Sequence, residues 1–123
     1  MKPDDIMAGL TQFHGSEEYY RHWTCRAVIT EGVKFLADAC ECYWLINAIV
    51  SYQLEPRIAG EEFQVWKLAV SNHAATLTVD DGNGNIVGSF PIEYTDFPLD
   101  HAEIWLQRTS VRQPWVLLLP SEY

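Results

Sequence analysis

Thiols and imidazoles are the side chains that could hold a metal ion or pair a nucleophile with its base. The chain has three cysteines, Cys25, Cys40 and Cys42, and four histidines, His14, His22, His73 and His101. Structural zinc takes its ligands as two closely spaced pairs. Here Cys40 and Cys42 form one Cys-x-Cys pair at the start of an apolar segment, and nothing complements it; they read as core thiols. Asp81, Asn83 and Asn85 alternate like the opening of a calcium loop. Such a loop needs a turn glycine and then a bidentate glutamate, and Ile86 and Ile92 stand at those places. A glycine-rich hairpin connection explains the pattern instead. Cys25 and His22 fall on opposite faces of an extended segment, so they do not pair for nucleophilic chemistry. No serine sits in a nucleophile elbow, and no glycine-rich strand-to-helix turn offers a phosphate cradle. No metal, no cofactor and no catalytic constellation is expected.

Two polar and aromatic concentrations remain as binding candidates. The first surrounds Tyr20, Arg21 and His22, flanked by Tyr19 and Trp23; Tyr, Trp and Arg are the residue types that anchor interfaces. The second runs from Glu93 to His101. Tyr94, Asp96 and His101 could there bring a carboxylate and an imidazole together for acid–base work. Solvated loop residues are the ordinary reading of that stretch.

Charge narrows the partners. Eight Lys and Arg against 17 Asp and Glu give net −9, with the acidic excess in both halves of the chain. A nucleic-acid binder presents a basic stripe, so direct DNA or RNA binding is not expected. An acidic surface that imitates DNA is compatible with the sign. The 123 residues, 48% hydrophobic, suffice for one domain spanning 1–123 on a hydrophobic core, without disulfide or structural metal. Met1 to Met7 contain Asp4 and Asp5 rather than a basic start followed by an apolar stretch, so no secretory signal is read. The longest nearly apolar run, Cys42 to Val50, is too short to span a bilayer. A cytoplasmic protein with reduced thiols and no membrane partner is the expectation.

These residues must be positioned by an α+β fold. Pro3 with Asp4 or Asp5 starts a short helix carrying Ile6, Leu10 and Phe13 on one face, with Gly15 placed to stop it. Ser16, Glu17 and Glu18 look like a cap with first-turn acids. Trp23, Cys25, Ala27 and Ile29 alternate as a half-buried strand, and a loop of Thr30, Glu31 and Gly32 would return it through Val33, Phe35 and Ala37 as a hairpin. From Glu41 to Leu54 the period turns helical, with Cys42, Leu45, Ile46, Ile49 and Tyr52 on one side. This is the central helix, packed across a sheet. Strands follow at Phe63–Val70, Ala75–Asp80, Ile86–Tyr94, Glu103–Arg108 and Trp115–Leu119. Pro91 marks an edge or bulge. The expected whole is a largely antiparallel meander of six or seven strands packed on one central helix, plus the short N-terminal helix.

The strings YRHW (Tyr20–Trp23), GVKFLAD (Gly32–Asp38), YWLINAIVSYQ (Tyr43–Gln53), FQVWKL (Phe63–Leu68), DDGNG (Asp80–Gly84), EYTDFPL (Glu93–Leu99) and VLLLPSEY (Val116–Tyr123) are distinctive in combination. The chain resembles a family of small uncharacterised bacterial proteins, a domain of unknown function often found on plasmids or other mobile elements. That resemblance implies no activity for any position. The functional expectation is a noncatalytic module accessory to a mobile element, which binds an unknown protein partner and can form a homodimer through a sheet edge or an aromatic patch; Trp115–Leu119 reads as a buried last strand, its alternative being an exposed apolar edge used for self-pairing. Its rivals are a small-ligand binder or enzyme with a pocket between helix and sheet, with Arg21, His22, Tyr94, Asp96 or His101 at its mouth, and the acidic DNA mimic.

Overall fold

The computed structural model describes residues 2–14, 18–108, 110 and 112–123. Among the described residues seven strands form one sheet: β1 (Tyr19–Arg21), β2 (Ala27–Thr30), β3 (Phe63–Ser71), β4 (Ala74–Asp80), β5 (Ile86–Ile92), β6 (His101–Gln107) and β7 (Trp115–Leu118). The helices are α1 (Pro3–Leu10), α2 (Glu31–Ala39), α3 (Tyr43–Tyr52) and α4 (Pro56–Ala59), and a 3-10 turn covers Pro120–Glu122. Across the sheet the order is β1-β2-β7-β6-β3-β4-β5. Every neighbouring pair is antiparallel except β2 with β7.

Local chemistry explains most of the elements. Pro3 occupies the first turn of α1, where its missing N–H costs nothing, with Asp4 and Asp5 beside it and Ile6 fully buried. The helix ends at Leu10; the expected stop at Gly15 and the cap at Ser16 and Glu17 lie outside the described residues. Asn72 and His73 both take positive φ, 52° and 62°, between the paired Ser71 and Ala74. That is the two-residue turn whose twist suits a hairpin. Pro91 sits on β5, an edge strand, where one side of the backbone needs no ladder partner.

Three expectations are corrected. The strand expected from Trp23 begins only at Ala27, because His22–Cys25 closes as a turn with Cys25 at φ 61°. The return strand through Val33 and Ala37 is helix α2. Thr30 caps it, its Oγ1 accepting from Val33 N at 3.3 Å, and Val33, Leu36, Ala37 and Cys40 then fall on one buried helical face. Gly32 is needed for a close approach rather than for a left-handed turn: a Cβ there would lie 2.6 Å from Glu122 Oε1. That carboxylate accepts from Gly32 N (3.2 Å), Thr30 Oγ1 (2.6 Å) and Leu119 N (2.9 Å), placing negative charge at the N-terminus of α2. Finally, the sheet is not a meander throughout. β7 lies inside it, paired with both β2 and β6, so Trp115–Leu119 is the buried last strand expected and the alternative of a free edge for self-pairing falls.

The buried residues of the four helices join those of the inward-facing strand positions in one apolar cluster. The strip from Cys42 through Tyr52 is covered as expected: Leu45, Ile46 and Ile49 are fully buried, and the Tyr52 ring stacks on Phe90 at 4.0 Å and on Trp66 at 5.7 Å. Its buried residues lie in the same apolar cluster as those of α2 and the strands, so two helices rather than a single central one pack into the core. They are joined by the Tyr43 hydroxyl donating to Asp38 Oδ1 at 2.7 Å. No helix among the described residues is long and apolar enough to cross a membrane.

Candidate functional site

The parallel pair decides where charge collects. Because β2 and β7 run the same way, the residues that lead into them, Arg26 and Pro114, lie side by side at one end of the sheet. Trp115 N donates to Arg26 O across that junction at 3.0 Å. β1, antiparallel to β2, ends there with Arg21, and β6, antiparallel to β7, ends there just before Arg108. The result is a cavity of about 630 Å³ whose walls include Arg21, Arg26, Arg108 and Arg112, with Cys25, Gln53 and Trp115. Four of the five arginines of a chain with net −9 meet here, and no Asp or Glu lines the cavity among the described residues.

Each wall residue is held differently. The Arg108 guanidinium lies 4.2 Å over the Trp115 ring, and its Nη2 reaches Ala59 O at 3.4 Å. Its Nε is buried with no hydrogen-bond partner among the described residues, leaving an unused donor. Gln53 is fully committed elsewhere. Its amide exchanges two hydrogen bonds with the buried Gln64, at 2.8 and 2.9 Å, and also donates to Ile49 O. The two amide hydrogens of Gln64 are shared among Gln53 Oε1, Ile58 O and Glu61 O, and its Oε1 also accepts from Trp66 Nε1. This network fixes the end of α3 beside the cavity. The Cys25 thiol is exposed, whereas Cys40 and Cys42 are buried and free; a hydrogen bond with the Cys40 thiol, then burial, push the Cys42 thiol up, away from ionisation.

A second hollow of about 430 Å³ adjoins the first and shares Arg26 with it; its walls include His22, Trp23, Asn47, Val50 and Leu54. His22 is buried and organises this wall. Thr24 N donates to its Nδ1 at 3.2 Å, so the ring proton belongs on Nε2, which donates to Asn47 Oδ1 at 2.7 Å. The Thr24 hydroxyl then also donates to Nδ1, at 2.8 Å. Asn47 Oδ1 accepts a second bond, from Trp23 Nε1 at 3.1 Å. An exposed indole is thereby held in one orientation.

Of the expected binding residues, Arg21 and His22 serve these two hollows. Tyr20 stands exposed on the edge strand β1, its hydroxyl donating to Glu18 at 3.3 Å and the Lys34 ammonium 5.3 Å from its ring centre. Tyr94 is exposed and stacks on His73 at 5.9 Å. With Asp96 it borders a smaller hollow near Trp44. His101 opens β6 opposite Ala69, and no hydrogen bond or ion pair joins it to Asp96 among the described residues. Asp81 spends its carboxylate on Asn83 N, Asn85 N and the Asn85 amide, which hold it below the usual carboxylate range. Among the described residues no three His, Cys, Asp or Glu side chains gather as metal ligands. Spacing singles out none of Arg26, Arg108, Arg112 and Asn47; for the arginines the signal is that four of the five flank two strands, and Asn47 shows only as a polar break in an apolar helix.

Fold and site together define a helix-covered α+β sheet protein with an arginine-walled cavity at one end of the sheet. The chain belongs to a family of unknown function, DUF6876, whose model matches residues 4–123. No curated protein and no solved structure matches it.

Proposed function

We propose that this protein is a noncatalytic binding module for a small anionic ligand, taken into the cavity between Arg21, Arg26, Arg108 and Arg112. The observation that carries this reading is that four arginine residues line one cavity, with no Asp or Glu among its lining residues, on an otherwise acidic chain. Like charges brought together without counter-charge repel one another, and an anion relieves that repulsion while accepting charge-assisted hydrogen bonds. A cavity of this volume suits a small molecule. The net charge of −9 disfavours a long polyanion such as DNA, whose neighbouring phosphates would face the acidic remainder. Calorimetric titration with inorganic phosphate at low ionic strength tests it. Binding should weaken by roughly tenfold or more in the double variant Arg21→Ala, Arg112→Ala; equal binding by that variant removes the reading.

A second reading, a protein-interaction module that docks a partner or a second copy on a sheet edge, is favoured by β1. This short edge strand presents Tyr19 and Tyr20 to solvent. Sedimentation of the wild type against Tyr19→Lys, Tyr20→Lys checks self-association there: an oligomer that survives the double variant excludes that edge.

A further inference from the structure

We propose that the arginine cavity and the hollow beside Trp23 are two halves of one site for an aromatic phosphomonoester, the phosphate among the arginines and the ring against the Trp23 indole. This rests on the anion-binding reading of the cavity. The two hollows are walled by the same short segment, 22–26, and Arg26 belongs to both. The second hollow is lined by Val50 and Leu54 as well as the indole, and no carboxylate lines it among the described residues.

Trp23 carries the argument for a ring. It is 77% exposed, and Leu54 beside it is 68% exposed, yet the indole N–H is tied to Asn47, which is itself held by the buried His22. A large flat side chain fixed in water is a preorganised stacking surface, because the entropy of ordering it is already spent before a ligand arrives. The neighbouring charge selects what that ring must carry. A phosphomonoester brings three terminal oxygens and up to two negative charges, and four guanidiniums can satisfy more of both than a carboxylate could supply. The buried, unpartnered Nε of Arg108 is one donor still to be used.

Calorimetric titration of the full chain with phenyl phosphate, inorganic phosphate and benzoate separates the two halves. Phenyl phosphate should bind roughly tenfold more tightly than inorganic phosphate, the gain expected of one stacked ring. Trp23→Ala should erase that gain and leave inorganic phosphate unchanged, Trp23→Phe should restore most of it, and Arg112→Ala should weaken both phosphates. Benzoate should bind more weakly than phenyl phosphate. Equal affinity for phenyl phosphate and inorganic phosphate, benzoate binding as tightly as phenyl phosphate, or a Trp23→Ala effect confined to the sedimentation coefficient would each overturn the inference while the anion cavity stands. If no phosphate binds at all, the cavity reading fails, and this inference with it.

Discussion

At the residue scale, Cys25 is the position where backbone and site disagree. Its φ of 61° is left-handed, a conformation that costs a side chain with a Cβ roughly 1 kcal/mol and glycine little. The turn is nonetheless closed, with Cys25 N donating to His22 O and His22 N donating to Ala27 O, both at 2.9 Å. Cys25→Gly should therefore leave folding stability within about 1 kcal/mol of the wild type, the relief of strain offsetting glycine's greater unfolded-state entropy. Cys25→Val should lose more, because a β-branched side chain tolerates positive φ poorly. Denaturant unfolding of the two variants checks the order; a valine variant as stable as the glycine variant would show the turn to be soft.

At the scale of elements, α2 and α3 are clasped by a small polar set outside the core. Lys34 Nζ lies 2.8 Å from Asp38 Oδ2, and the Tyr43 hydroxyl donates to the other oxygen. The Lys34 hydrogen bond first, then that of Tyr43, hold the Asp38 carboxyl below its usual range; the same pairings raise Lys34 and Tyr43. A carboxyl depressed by folding contributes stability above its unfolded pKa and loses it as pH falls through the folded value. Asp38→Asn should thus lower the unfolding midpoint at pH 7, and the difference should shrink as pH falls below the usual carboxylate range. The loss should stay under about 1 kcal/mol, since the group is solvent-screened. A pH-independent difference would assign the effect to packing.

Much of this layer was legible in the chain. The α3 strip, the five later strands, the Asn-His turn region and the edge placement of Pro91 follow from periodicity and turn chemistry, which are local. Helix α2 was misread as a strand because Val33, Phe35 and Ala37 alternate, while Val33, Leu36, Ala37 and Cys40 also repeat with helical spacing. Thr30 decides between them, and it does so with Glu122, 92 positions away. The cavity was hidden for the same reason. A strand taken as half of a local hairpin cannot also be seen lying parallel to β7, and without that pairing Arg26 and Arg112 have no cause to meet.

At the scale of the whole molecule, the charges are segregated. Seventeen carboxylates give the surface its sign, and the single ion pair within 4 Å among the described residues, Lys34 with Asp38, uses none of the arginines. The cavity arginines are thus not consumed in stitching the surface together. Their assembly instead depends on pairings between distant parts of the chain: β1 and β2 near its start, β6 and β7 near its end. Loop-closure entropy makes such long-range parallel pairing slow to form. During synthesis, Arg21 and Arg26 leave the ribosome long before Trp115 exists to receive them, so a stalled nascent chain ending before β7 should fail to retain phosphate even where the β3–β4–β5 hairpins have already formed. Capture of the anion would then report translation of the last strand.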